Sequence, residues 1–249
     1  MSGHSKWATI KHKKGAADAA RGKLFAKLAR QIEVAAKTGG DPDMNPTLRT
    51  AVQKAKAARM TNEAIDRAVK RGSGESGEGI IYESIMYEGY APGGVALLID
   101  VLTDNRNRIS ADVRQVFSKL GGSMAEPGAV GWQFSRRGVI VTGPGVEEDD
   151  VMLAALDAGA DDIVAEGDGW RIMTEPSEVY RVREQLEAAG IPVVSADSPM
   201  VSENLVPVTD PKDAKAILRI LEALEDNDDV QDVFSNFDIS DELMEEASS

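Results

Sequence analysis

From Gly22 the apolar residues recur at the α-helical period. Leu24, Phe25, Leu28, Ile32, Ala35 and Ala36 share one side, and Lys23, Lys27, Arg30 and Lys37 share the other. This spacing predicts an amphipathic helix that the segment "TGGDP" ends. Residues 1–20 show no such period, because single Trp7 and Ile10 stand among polar and basic residues; an extended or partly disordered arm is expected there. Asn45 followed by Pro46 makes an N-cap and first-turn pair. The next helix then turns Leu48, Ala51, Val52 and Ala55 inward. A third, "MTNEAIDRAVKRG", has Thr61 as its cap, Ile65, Ala68 and Val69 inward, and Gly72 to close it. Three short helices of this kind predict a small bundle with a basic outside.

Past residue 80 the period shortens. "YESIMYEGY" and "GVALLIDVLTD" read as strands joined by "APGG", and "RISADVRQVFSKLGG" as a helix with Val113, Val116, Phe117 and Leu120 inward. Residues 132–201 run β-α-β-β-α-β, the ferredoxin-like order. The flanking segments supply strands and two further helices, including "DPKDAKAILRILEALED". The expected fold class is therefore multidomain α+β: an N-terminal small helical bundle followed by two ferredoxin-like domains, the last inserted into the second. The boundaries read as 1–75 for the basic helical domain, 80–130 plus 202–240 for the second, 131–201 for the insertion and 241–249 for an acidic tail. Between bundle and strands, "GSGESGEG" reads as a flexible linker. Its glycines match G-x-G-x-x-G, but a helix precedes and a strand follows, the reverse of what dinucleotide binding needs.

Charge divides the chain more sharply than periodicity does. The formal net charge is −14, yet residues 1–72 hold 16 Lys/Arg against 6 Asp/Glu, and the remainder 12 against 36. A basic module joined to an acidic body points to a polyanionic partner for one half only. The chain has no Cys, which removes disulfides, thiolate nucleophiles and Cys-ligated zinc together. No run approaches the ~18 apolar residues of a membrane span, and no apolar run of signal-peptide type follows the basic start. A cytoplasmic protein without a membrane partner is expected.

The arm and first helix gather the candidate binding residues. Lys6, Lys11, Lys13, Lys14, Arg21 and Lys23 lie close together, with Trp7 and His12 interleaved, and the run continues into Lys27 and Arg30. Clustered Lys/Arg attract nucleic-acid backbones because releasing condensed counterions is favourable, and Trp7 could stack on a base or anchor the arm. The alternative is a solvated tail. No helix-turn-helix or zinc-finger signature predicts base readout. "TDNRNR" places Arg106 and Arg108 at the start of a helix, where Asn107 or Ser110 could cap and a phosphate could be held. The alternative is a turn whose two Arg neutralise acids such as Asp104 or Glu88. Tyr87 and Tyr90 in "YEGYAPGG" read as core rather than as a stacking surface. His4 and His12 are the chain's two histidines and both fall in the arm, so no preorganised base is expected, nor an enzyme, a cofactor or a small-molecule substrate.

Four ordered motifs carry a resemblance: "GHSKWATIKHKKGAADAARGKLFAKLARQI", "GGDPDMNPTLR", "YEGYAPGGVALLIDVLTDNRNR" and "VRQVFSKLGG". They are similar to those of the YebC/PmpR family, whose eukaryotic relatives include a mitochondrial translational activator of cytochrome oxidase. The chain departs from it at "YAPGG", where the family often has Tyr-Gly-Pro-Gly-Gly, and at "RMTNEAI", where it often has Met-Pro. The resemblance implies three domains with the last inserted into the second, and a non-enzymatic cytoplasmic regulator. It further implies a nucleic-acid partner: DNA for a transcriptional regulator, or ribosomal or transfer RNA for a ribosome-associated factor that assists difficult stretches such as consecutive prolines.

Overall fold

The computed structural model of the chain describes residues 17–75, 77 and 81–248. Its residues fall into two compact units, Trp132–Leu205 and the segments that flank them.

The flanking unit begins with three helices, α1 (Ala17–Ala36), α2 (Pro46–Ala57) and α3 (Asn62–Gly72). Helix α1 therefore starts within the stretch read as an arm, five residues before the apolar period sets in. Leu28, Ile32, Leu48, Ala55, Ile65 and Ala68 form the bundle core. The caps are those the sequence offers: Asn45 accepts the Leu48 N–H at 3.1 Å and Thr61 the Ala64 N–H at 3.3 Å. Gly72 does not close α3 in a left-handed turn. It is the last helical residue, and a Cβ there would meet the Glu33 carbonyl and lie 2.8 Å from Ala36 Cβ. Its small size serves the close packing of α3 on α1.

Two strands follow, β1 (Glu83–Ala91) and β2 (Val95–Thr103), joined through Pro92 and two glycines at φ +74° and +77°. That left-handed pair is why the hairpin carries Gly-Gly. Next come α4 (Arg106–Leu120) and the short β3 (Ser123–Ala125). In the other unit lie β4 (Phe134–Arg136), β5 (Gly138–Thr142), α5 (Glu148–Asp157), β6 (Asp162–Glu166), β7 (Gly169–Thr174), α6 (Val179–Ala188), β8 (Val193–Asp197) and β9 (Met200–Ser202). The chain then returns with β10 (Val206–Pro207), α7 (Pro211–Glu225), β11 (Val230–Ser235), β12 (Phe237–Asp238) and α8 (Asp241–Ser248).

The sheet of the flanking unit has the order β11-β2-β1-β3, antiparallel throughout, with Tyr87 opposite Ile99. Ile109, Val113 and Phe117 of α4 and Ile217, Leu221 and Leu224 of α7 pack with Leu97, Ile99 and Val101 of β2. The other unit has the sheet order β6-β7-β5-β8, again antiparallel. Its core of Ile140, Val151, Ile172, Val182 and Leu186 is its own. This is the ferredoxin-like arrangement read from the element order. The flanking sheet reaches an equivalent strand order by a different chain path, because β1 and β2 are joined directly.

Helix α6 begins at Val179, three residues after Pro176, with a turn between them. One local reading needs correction. Residues 241–248, read as an acidic tail, form α8: the Leu243 N–H donates to Ser240 Oγ at 3.2 Å, Met244 is buried, and Leu243 and Ala247 pack on the core.

Candidate nucleic-acid interface

Helix α1 turns Leu28, Ile32, Ala35 and Ala36 into the bundle core but leaves Leu24, expected on the same side, exposed; Lys23, Lys27 and Arg30 reach the end of α7. Lys23 Nζ lies 2.9 Å from Asp226 Oδ1. Lys27 Nζ donates to the Glu225 carbonyl at 2.9 Å, and Arg30 Nη1 to the Asp228 carbonyl at 2.6 Å and to Asp229 Oδ1 at 2.9 Å. Gln31 Nε2 adds a 3.2 Å bond to Gln231 Oε1. The last carbonyls of a helix lack intrahelical donors and carry the negative end of its dipole, so cations are favoured there. Lys27 and Arg30 are thereby half-buried against the acidic segment 225–229, while Lys23 stays exposed with Asp226 as its partner. The hydrogen bond from Lys23 to Asp226 raises the pKa of the ammonium, with the charges of Asp226 and Asp228 adding to it and desolvation opposing. Arg30 also lies over the Tyr82 ring, 5.6 Å from its centre, and burial pushes the Tyr82 phenol up.

The second cationic pair is held by the same segment. Asn105, rather than Asn107 or Ser110, caps α4 by accepting the Arg108 N–H at 3.1 Å. Arg106 Nη1 pairs with Glu83 Oε1 at 2.9 Å. Arg108 Nη2 reaches Asp104 Oδ1 at 2.7 Å and Asp229 Oδ2 at 2.6 Å, and Thr103 Oγ1 donates to the same Asp229 oxygen at 2.9 Å. Asp229 thus joins Arg30 and Arg108, which the sequence offers as separate phosphate contacts. Burial pushes its carboxyl up, and the bonds from Arg108 and Thr103 with the charges of Arg108 and Arg30 outweigh that, so its pKa lies below the ordinary carboxylate value.

Glu88 neutralises neither Arg. It is buried, and its carboxylate accepts the backbone N–H groups of Gly128, Val130 and Gly131 at 2.7, 2.6 and 2.8 Å. Desolvation raises its pKa, the three donors lower it further, and the net shift is downward. Tyr87 packs against the core and Tyr90 donates to the Ala129 carbonyl at 3.4 Å, so neither forms a free stacking platform. Arg21 is exposed on α1. Lys6, Trp7, Lys11, His12, Lys13 and Lys14 lie outside the described residues. Among the described residues no three or more His, Asp or Glu are placed to hold a metal, and no helix is long and apolar enough to cross a membrane.

Asp229 is the residue that sequence reading passes over. Its signal is the acidic run "LEDNDD" directly after a long helix, opposite in charge to the α1 stripe.

Two family models match the chain: the TACO1/YebC protein N-terminal domain over residues 5–75, and the TACO1/YebC second and third domain over residues 82–237. A protein of Halothermothrix orenii is 55% identical over 99% of this chain and 98% of its own length. One from Rubrobacter xylanophilus is 55% identical over the whole of both chains. Each bears the name "Probable transcriptional regulatory protein". The crystal structure of a conserved hypothetical protein from Aquifex aeolicus superposes with a TM-score of 0.82 at 44% identity, covering 95% of this chain and 98% of that one. With both family models matched in order along its length, the chain belongs to the TACO1/YebC family.

Proposed function

We propose that the protein is a nucleic-acid-binding regulator of gene expression that works by binding rather than by catalysis, and that its basic N-terminal domain carries the contact. The observation behind this reading is the segregation of charge: 16 Lys/Arg against 6 acids up to residue 72, and 12 against 36 beyond it. The bundle that bears the positive charge has its own core, so it can present cations on a fixed scaffold. The names of the relatives support DNA as the polyanion and transcription as the process.

A second reading, an RNA-binding translation factor, is favoured by the strongly acidic remainder of the chain. Such a body is repelled by a bare duplex and suits a particle in which protein and RNA surfaces alternate. Crosslinking in growing cells with sequencing of the bound nucleic acid separates the two. Promoter fragments without ribosomal or transfer RNA support the first, and the reverse supports the second.

Either way, replacing Lys11, Lys13 and Lys14 by Glu weakens binding to all sequences and flattens its salt dependence, by about 2–3 units of slope on a duplex. Unchanged affinity and slope in a salt titration would remove this cluster from the contact.

A further inference from the structure

We propose that the phosphate-contacting face of the folded bundle is formed by α2 and α3, through Lys56, Arg67 and Lys70 with Arg59 in the turn between them, and not by α1. This rests on the nucleic-acid reading above and assigns the site within it. Lys23, Lys27 and Arg30 are engaged with segment 225–229, and Arg30 and Arg108 share the buried Asp229. A phosphate reaching Arg30 has to displace the buried Asp229 carboxylate, so exchange gains little there, while Lys23 and Lys27 already hold the exposed Asp226 carboxylate and the Glu225 carbonyl. Lys54 is turned the same way, 4.0 Å from Asp232.

Lys56, Arg59, Arg67 and Lys70 differ. All four are exposed, and their side chains make no hydrogen bond or ion pair among the described residues. Arg67 and Lys70 stand three residues apart on α3, on the side opposite buried Ile65 and Ala68. Lys56 lines the shallow groove between α2 and α3 together with Asp66 and Val69. With Lys54 turned to Asp232 and Arg71 paired with Glu33, the four cations of the face still outnumber the segment's two acids, Glu63 and Asp66.

The chemistry of the ligand follows from what the face lacks. Residues 46–72 contain no aromatic side chain to stack on a base. Mobile cations without a stacking platform bind a phosphodiester backbone irrespective of its sequence. The folded bundle's own share of sequence-independent nucleic-acid binding is therefore placed on this face.

The test uses the full-length chain and two probes, a 30-base-pair DNA duplex and a 30-nucleotide single-stranded RNA of mixed sequence, titrated with salt by fluorescence anisotropy. Lys56→Gln/Arg67→Gln/Lys70→Gln is expected to lose about tenfold or more in affinity on the probe that wild type binds. The salt slope should become shallower by about 2–3 units. Lys56→Arg/Arg67→Lys/Lys70→Arg is expected to retain wild-type affinity, which separates charge from folding. Lys23→Gln/Lys27→Gln is expected to leave the slope unchanged. A wild-type slope in the triple Gln variant, or a flattened slope confined to the Lys23/Lys27 variant, overturns the assignment and leaves the nucleic-acid reading standing. Absence of binding by wild type to both probes overturns the two together.

Discussion

Asp229 is buried between three donors and two positive charges, and its own backbone is fixed as well. Its N–H donates to Asn227 Oδ1 at 2.9 Å and its carbonyl accepts the Leu102 N–H at 2.8 Å. The residue joins the C-terminal end of β2, the start of α4 and the basic side of α1. Asp229→Asn keeps the shape and removes the charge that Arg30 and Arg108 share. A loss of about 1–3 kcal/mol in unfolding free energy at neutral pH is expected, measured by urea denaturation. The pH dependence has a definite sign. The folded-state pKa is depressed, so the stabilisation is complete above the unfolded-state value near 4 and is lost as pH falls through the folded one. The wild-type and Asn curves should therefore converge at acid pH and stay apart from about pH 5 upward. A constant gap down to the lowest pH would show that the carboxylate charge is not what matters. Sequence reading places Arg30 on the correct side of α1 but cannot see this partner, because 199 residues separate them and no local spacing encodes the pairing.

At the scale of elements, what is legible is what the local chain decides alone. The 3.6-residue period locates the bundle helices, and Asn45 and Thr61 cap the helices they precede. Which neighbour covers a helix's polar side is set by tertiary packing, so the basic side of α1 reads as exposed although it is docked. Helix α8 is missed for another reason. Leu243, Met244 and Ala247 do fall at helical spacing, but two turns set among acids give too short a period to stand out. Two glycines of helical segments show how packing overrides propensity. Gly72→Ala should improve helix propensity by about 1 kcal/mol, yet its Cβ would press on the backbone of α1 at Glu33, which cannot swing aside. A net destabilisation of about 1–3 kcal/mol is expected. Gly22 in α1 has nothing within 4 Å of its Cβ position, so Gly22→Ala should stabilise by about 0.5–1 kcal/mol. Paired thermal melts check the opposite signs, and two shifts in the same direction would contradict the packing argument.

At the scale of the whole molecule, the insertion and the charge asymmetry bear on each other. In the inserted unit β4 pairs antiparallel with β9, Phe134 opposite Ser202, so the chain enters and leaves that unit at neighbouring points. This is the geometry that tolerates excision. The nesting is legible from the order of strands and helices because each unit closes its own core from contiguous or flanking segments. Residues 132–205 carry 15 acids and 5 Arg with no Lys, so they contribute a large share of the negative field and none of the cations assigned to binding. A chain in which a short Gly-Ser linker joins Gly131 to Val206 is therefore expected to fold with its sheet and bundle intact and to bind nucleic acid. Relative to the full chain its affinity should be higher at low salt, where long-range repulsion by the acidic unit is felt. The advantage should disappear towards 1 M salt, where the Debye length falls to about 3 Å. Circular dichroism establishes that the shortened chain is folded, and a salt titration reads the rest. A folded, shortened chain that binds more weakly than the full chain at every salt concentration would move part of the nucleic-acid contact into the inserted unit, and with it the division of the molecule into a basic binding end and an acidic remainder.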